Sequence, residues 1–428
     1  MTAVATAPAP TPAPEESALR DPLNIRGVIG NALLAVAALL LILTVPAGDS
    51  QIRLSTNSDA VQIPVFAIPA PLTVTLMGVV IIGLAAWTIV RLVQRRPSLT
   101  WVTVLAGVLL LLAFLVHVGA GKSQVVALTG VLASTLFLAT PLVFGALSGV
   151  VCERVGIVNI AIEGQLLAGA FLAAVVGSIT ASAYVGLIAA PIAGALVGLI
   201  LAIFSIRYMV DQIIVGVVLN VLVIGLTGFF YSTVLTELDG FNDRTQLPTI
   251  PIPLLSEIPV LGPVLFRQNL LVYLLYVLVI GLQIMVFRSK WGLRLRAVGE
   301  HPKAADTVGI NVNRTRFRNT LVGGAIAGLG GAYFTVASGL AFGKEMTAGR
   351  GFIALAAMIL GRWSPKGALA AAILFGFAEN LSQLLPTMGV SINSNLLLTI
   401  PYVVTIFAVA GFAGKVRAPA AENTPYVK

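Results

Sequence analysis

The sequence predicts an all-α polytopic integral membrane protein with about ten to twelve transmembrane helices, some discontinuous or re-entrant. Two observations carry this. Hydrophobic residues make up 58% of the 428, and charged residues only 10%, where a soluble domain carries about 25% charged residues. The charges also fall in short gaps between apolar runs of about 20 residues, the length that crosses a bilayer. Helix is the conformation of such runs, because lipid offers no partner to backbone N–H and C=O groups. A mean hydropathy of +0.99 excludes a water-soluble enzyme, a disordered chain and a nucleic-acid binder. The pI of about 9.9 therefore needs another explanation than a basic soluble face.

Residues 1–19 are rich in Ala, Pro, Thr and Glu, including Pro8, Pro10, Pro12 and Pro14. They cannot build a packed core and lack the charged-then-apolar order of a cleavable signal. Residues 1–26 are thus expected to form a disordered cytoplasmic tail. Apolar runs follow near 28–46, 72–91, 100–119, 125–150, 157–177, 184–204, 209–231 and 269–287. Four more lie near 319–341, 350–361, 367–385 and 395–413. The run at 350–361 is too short to cross alone and reads as a half-helix or re-entrant segment.

Orientation follows from Lys and Arg, which accumulate in cytoplasmic loops. With a cytoplasmic N-terminus and twelve alternating segments, only Arg53, Lys122, Arg244, Arg267, Lys344 and Arg350 of the 26 basic residues fall outside. Both ends, including the tail 415–428, are expected in the cytoplasm of a multi-pass cell-membrane protein. The high pI is a consequence of this asymmetry.

Two connections are longer than a simple turn. Residues 232–268 face outward and carry Pro248, Pro251, Pro253, Pro259 and Pro263, which disfavour continuous helix. They read as a cap, a partner contact or an extended surface connector. Residues 288–318 face the cytoplasm. Pro302 suits a first helical turn, Lys303 to Val308 continue it, and Gly309 supplies a left-handed stop. The flanking basic residues could simply anchor at lipid headgroups; the capped, small-residue helix points to a docking surface, with Ala304, Ala305 and Val308 available to pack.

Polar residues inside the apolar runs are few. Glu163 and Glu379 are the acidic ones, and such groups usually face a bundle interior or a cavity. By spacing, Asn159 and Glu163 share one helix face, as do Glu379 and Gln383. Asn220 lies mid-span, and Gly156 and Gly164 punctuate the first site as in a discontinuous helix. These residues, with Gln165, either line a polar route for solute or hydrogen-bond the helices to one another. Pairs such as Gly145/Gly149, Gly194/Gly198 and Gly324/Gly328 permit close helix contact. Cys152 is a lone cysteine, and His117 and His301 match no metal motif, so neither a catalytic nor a metal site is expected. Residues 119–123, GAGKS, imitate the end of a phosphate-binding loop, but the glycine needed five positions before Gly121 is Val116, and the context is not strand-to-helix.

Three segments resemble one family. Residues 292–310 carry Gly292, Arg296, Ala297, Val298, Gly299, Ala304, Ala305, Gly309 and Ile310, similar to the coupling segment of ABC-importer permeases for nucleosides, branched-chain amino acids and simple sugars. Residues 154–170, RVGIVNIAIEGQLLAGA, resemble the signature of the nucleoside-type members, and 351–377, GFIALAAMILGRWSPKGALAAAILFGF, a third family segment. The chain departs from that type at Gln212, where an acidic residue is frequent, and at Gly216, where threonine is. The resemblance covers roughly 125–413; it implies a permease core at 121–414 with the ABC importer permease fold, and leaves 27–120 as additional N-terminal membrane helices.

The resemblance implies a transport subunit that moves a nucleoside-like solute inward, with a sugar or branched-chain amino acid as alternatives. Arg296, Gly299, Pro302, Ala304, Ala305 and Gly309 would form the ATPase-coupling surface, and Asn159, Glu163, Gln165, Asn220, Glu379 and Gln383 the solute pathway. ATP and Mg would be used by separate ABC ATPase subunits. A second, homologous permease, an extracytoplasmic solute-binding lipoprotein and membrane lipid are the other implied partners. A proton-coupled secondary transporter using Glu163 or Glu379 is the rival from another class.

Overall fold

The computed structural model describes residues 25–56, 59, 61–96, 99–389, 396, 399 and 417–427. The expected tail at 1–24 and most of the apolar run at 395–413 lie outside the described residues. Among those described, ten helices are long and apolar enough to cross a membrane.

Helices α1 (Ile25–Thr44), α2 (Ala70–Val93) and α3 (Thr100–Gly119) come first. Strands β1 (Asp49–Arg53) and β2 (Phe66–Pro69) pair antiparallel between α1 and α2, and β1 pairs parallel with β3 (Val126–Ala127). Then follow α4 (Leu128–Glu153), α5 (Ile162–Ile179), α6 (Ala183–Ala202) and α7 (Gln212–Phe230). The long loop holds β4 (Thr249–Pro251), the single turn α8 (Leu261–Leu265) and β5 (Arg267–Asn269), with β4 and β5 antiparallel. The rest is α9 (Leu270–Arg288), α10 (Lys290–Glu300), α11 (Pro302–Thr307), α12 (Val312–Gly331), α13 (Arg350–Leu360) and α14 (Pro365–Thr387). π-helical turns extend α6 over Ile203–Arg207, α7 over Tyr231–Leu235 and the end of α12 over Tyr333–Ala337. The all-α class holds. Both small sheets lie at one end of the bundle, the sheet end, and α10, α11 and the C-terminal segment lie at the other, the basic end.

The core is built around α4, which is buried without interruption from Ala139 to Glu153 and touches α12, α13 and α14. Helices α5, α6 and α12 meet through glycine. A Cβ at Gly169 or Gly194 would collide with backbone of Gly324 or Gly328; only the missing side chains allow this approach, the usual basis of tight helix association in lipid. Helices α1 to α3 form a satellite around Ala38, Ile81 and Ala106. Leu115 and Val118 of α3 join it to Phe377 and Leu385 of α14. Val217, Val218 and Val221 of α7, and Val277, Ile280 and Ile284 of α9, face outward, as lipid-facing residues should.

Three expectations change. The segment 288–318 is helical through most of its length, and α12 starts at Val312 rather than near 319. Its caps explain this. Ser289 Oγ accepts from Gly292 N at 3.1 Å, and Asn311 Oδ1 from Arg314 N at 2.9 Å; each satisfies an orphan amide of a first turn. Pro302 opens α11 as expected, but the helix ends at Thr307, one residue early, followed by Gly309 at φ +83°. Asn159 and Glu163 do not share a helix face, because 154–161 is not helical. Gly156 adopts φ +90°, a left-handed stop that ends α4, and the chain then turns back into the bundle unwound. The 11-residue helix α13 starts inside the bundle, so it is the discontinuous element the sequence implied.

Candidate functional site

Where α5 begins inside the protein, its first amides have no helical partner, and side chains supply them. Asn220 Oδ1 accepts from Gly164 N at 2.8 Å, and its Nδ2 donates to the Ile160 carbonyl at 2.9 Å. Gln212 Oε1 accepts from Val158 N at 2.7 Å. Asn159 Nδ2 donates to Gln165 Oε1 at 2.9 Å and to Ser148 Oγ at 3.0 Å, and Gln165 Nε2 donates back at 3.2 Å. Asn159 and Gln165 are fully buried. The two departures from the nucleoside-type pattern fall here: Gln212 provides the acceptor just described, and a Cβ at Gly216 would approach that of Ile160 to 2.9 Å.

Glu163 lies on the first turn of α5 and reaches the start of α13. Its Oε1 accepts from Thr347 Oγ1 at 2.5 Å and Gly349 N at 2.8 Å, and its Oε2 from Gly351 N at 2.6 Å. A carboxylate at the positive end of a helix is favourable, so one side chain ties the unwound entry of α5 to the interior start of α13. Glu379, on α14, accepts from Arg350 Nε at 3.1 Å and from its Nη2. Counted in the sequence as an outside loop residue, Arg350 is instead this carboxylate's partner, with 22% of its side chain exposed. Its guanidinium lies 5.4 Å from the Phe334 ring centre.

Toward the sheet end, α4, α14 and the turn Tyr333–Ala337 enclose a cavity of about 660 Å³ beneath the 249–268 loop. Its walls include Ser134, Phe137, Tyr333, Ser338, Asn380 and Gln383, and Thr56, Asp59, Arg267 and Gln268 contribute from the loops. Of the sequence-predicted pathway residues, Gln383 lines this cavity. Asn380 Nδ2 donates to the Val131 carbonyl at 2.7 Å and to Thr135 Oγ1 at 3.1 Å, holding α14 on α4. The rings of Phe137 and Tyr333 lie 4.7 Å apart and tilted by 49°, and Tyr333 meets Phe334 edge-on at 5.2 Å. Sequence reasoning missed Ser134, Phe137 and Tyr333, because an aromatic or serine in an apolar run carries no signal of facing a cavity.

At the basic end, the segment 417–427 is docked on the bundle. Ala421 N donates to the Gly299 carbonyl at 2.9 Å, and Asn423 Nδ2 to Asp211 Oδ2 at 3.2 Å. Arg316, only 2% exposed, donates from Nη1 to the Thr424 carbonyl at 2.8 Å and from Nη2 to that of Ala421 at 3.3 Å. Burial pushes the Glu422 carboxyl up despite a hydrogen bond with Glu153. The Ile214 amide, with Asn423, holds Asp211 down. Arg154 is lowered by burial and by Arg296, while Glu300 acts oppositely. Both guanidiniums stack on Phe287, at 5.6 and 5.5 Å. A Cβ at Gly299 would strike the Arg154 carbonyl. On α11, Ala305 is buried in the protein, whereas Lys303 and Ala304 are exposed, as is Val308 at 74%. The predicted coupling residues thus divide into an inward set, Gly299 and Ala305, and an outward face around Ala304.

Comparison with known proteins gives the context. The chain is 40% identical over 308 residues to the guanosine ABC transporter permease protein NupQ of Bacillus subtilis, covering 69% of this chain and 95% of the relative. It is 38% identical over 308 residues to the nucleoside ABC transporter permease protein NupC of Lactococcus lactis, covering 70% and 96%. A second Bacillus subtilis protein, the guanosine ABC transporter permease protein NupP, is 30% identical over 247 residues, covering 55% and 69%. No solved structure matches. Residues 131–409 match the family described as "Branched-chain amino acid transport system / permease component"; together with the ten helices among the described residues that are long and apolar enough to cross a membrane, this identifies the chain as a member of that family of ABC transporter permeases.

Proposed function

We propose that this permease carries nucleosides into the cytoplasm as one of two homologous membrane subunits of an ATP-driven importer. The observation that carries the substrate is the cavity. Its helix walls are polar and aromatic, and the charged residues that line it, Asp59 and Arg267, stand on the loops; Glu379 of α14 is paired with Arg350. The helix walls offer a zwitterionic amino acid neither a cation nor an anion, whereas a nucleoside is neutral and aromatic and fits them. The similarity to guanosine and nucleoside permeases supports the same reading, and the likeness to two different permeases of one organism supports a heteromeric pair.

The basic end is the cytoplasmic face by the excess of Lys and Arg, so both termini are cytoplasmic and the cavity faces out, where a solute-binding lipoprotein delivers. ATP and Mg are handled by the ATPase subunits, which dock on the outward face of α11 around Ala304 and Val308. Arg296, Gly299, Pro302, Ala305 and Gly309 give that face its shape. Asn159, Glu163, Gln165 and Asn220 brace the broken helices around which access alternates. Proton coupling is disfavoured, since Glu163 is held by three donors and Glu379 by an arginine. The test is uptake of tritiated guanosine into proteoliposomes holding both permeases, the ATPase and the binding protein. Uptake should require ATP and survive a protonophore. Uptake driven by a proton gradient without ATP, or transport of leucine or glucose but not guanosine, would overturn the proposal.

A further inference from the structure

The cavity divides into groups that are already satisfied and groups that are not. Near its mouth, Thr56 and Asp59 bond each other, and Gln268 Nε2 donates to the Val264 carbonyl at 2.8 Å. Thr129 Oγ1 is likewise bound to the Leu54 carbonyl, and Asn380 to α4. By contrast, Ser134 Oγ, Tyr333 Oη and the Gln383 amide make no hydrogen bond to a described residue while lining the same space. Ser134 and Gln383 are exposed on the cavity wall, and a few such polar groups converging on an aromatic wall are what fixes a ligand's polar edge.

The aromatic residues fix the orientation. Tyr333 is 7% exposed and packed edge-on against Phe334, which leaves its ring little room to turn. Phe137 is half-buried beside it, one helical turn from Ser134 on α4. The two rings touch, so a flat solute lies over the pair rather than between them. The nucleobase is the flat part of a nucleoside, and its edge carries adjacent donors and acceptors. A glutamine amide offers one donor and one acceptor side.

From this we infer that Phe137 and Tyr333 form a stacking platform for the nucleobase, with Gln383 and Ser134 hydrogen-bonding its edge, so that the permease recognises the base. This rests on the nucleoside reading above and adds a selectivity residing in the membrane subunit. Base stacking on aromatic side chains tolerates many bases, so the platform would accept nucleobases as a class, and the amide would rank them.

The experiment measures tritiated guanosine binding to the purified complex of permeases and ATPase, without binding protein, with unlabelled guanine and ribose as competitors. Guanine should compete and ribose should not. Phe137→Leu, which stays apolar but removes the ring, should weaken binding about tenfold, equivalent to about 1.4 kcal/mol, and Phe137→Trp should retain it. Gln383→Leu should weaken binding several-fold and change the order in which guanosine, adenosine and uridine compete. If Phe137→Leu prevents assembly, Gln383→Leu decides, because Gln383 is exposed to the cavity. Competition by ribose as strong as by guanine, or wild-type binding in the Leu variants while the complex still transports guanosine, overturns the platform alone. A wild-type complex that neither binds nor transports guanosine overturns the substrate assignment and the platform with it.

Discussion

Replacing Glu163 by Gln tests the link between the two broken helices. The carboxylate accepts three hydrogen bonds, from Thr347 Oγ1, Gly349 N and Gly351 N. A glutamine retains one acceptor oxygen, which can keep the pair at Oε1, but its NH2 would face the Gly351 amide, donor against donor. That amide cannot move away, since Gly351 lies in contact with the Glu163 backbone. Loss of a charge-assisted bond costs about 1.5–3 kcal/mol, and loss of an anion at a helix N-terminus about 0.3–1 kcal/mol. The sum is about 2–4 kcal/mol. A 150–250-residue domain loses about 2–4 °C per kcal/mol, and this larger body less, so Tm in detergent should fall by about 3–6 °C. Guanosine uptake should fall with it and remain ATP-driven. An unchanged Tm with uptake abolished would refute the bracing argument and revive a direct role for the carboxylate in solute or proton movement.

Two further outcomes are expected at the basic end. Ala304→Glu with Val308→Glu places charge on an exposed face, so the permease should fold normally, while ATPase co-purification falls at least about tenfold, a loss of about 1.4 kcal/mol; full co-purification would place the docking site elsewhere. The C-terminal segment should dock in a pH-dependent way. The Glu422 carboxyl is held above its ordinary 4.5 by burial, so its contribution is present at low pH and lost as pH rises through the raised value. Asp211 is held below 3.8, so its contribution persists until much lower pH. Residues 417–427 should therefore resist proteolysis better near pH 5 than near pH 8, and Glu422→Gln should flatten the difference. Equal protection at both pH values in the wild type would contradict this.

Much of the fold was legible because the bilayer imposes it. Ten of the apolar runs appear as spans, nine with ends within about five residues of those expected and the 319–341 run starting seven residues earlier, and the short run at 350–361 appears as the half-helix α13. Pro302 and Gly309 were readable as punctuation because their backbone restrictions are local. What misled was spacing. Asn159 and Glu163 stand four apart in an apolar run, yet Gly156 stops the helix first, and glycine in such a run signals packing as often as a stop. The partnership of Arg350 with Glu379 was hidden for a different reason: counting loop charges treats every arginine near a span end as solvated.

The sequence by itself determined that this chain crosses a membrane many times, which end carries the positive charge, and which family its three motifs resemble. Hydropathy and motif content are properties of contiguous residues, so no contact needs to be known. Only the tertiary structure decided that Glu163 holds α13, that Arg350 neutralises Glu379, that the C-terminal segment docks on Arg316, and that Phe137, Tyr333 and Gln383 face one cavity. Each of these joins residues far apart in sequence, and which polar atom finds a partner in a low-dielectric interior depends on how the helices are packed.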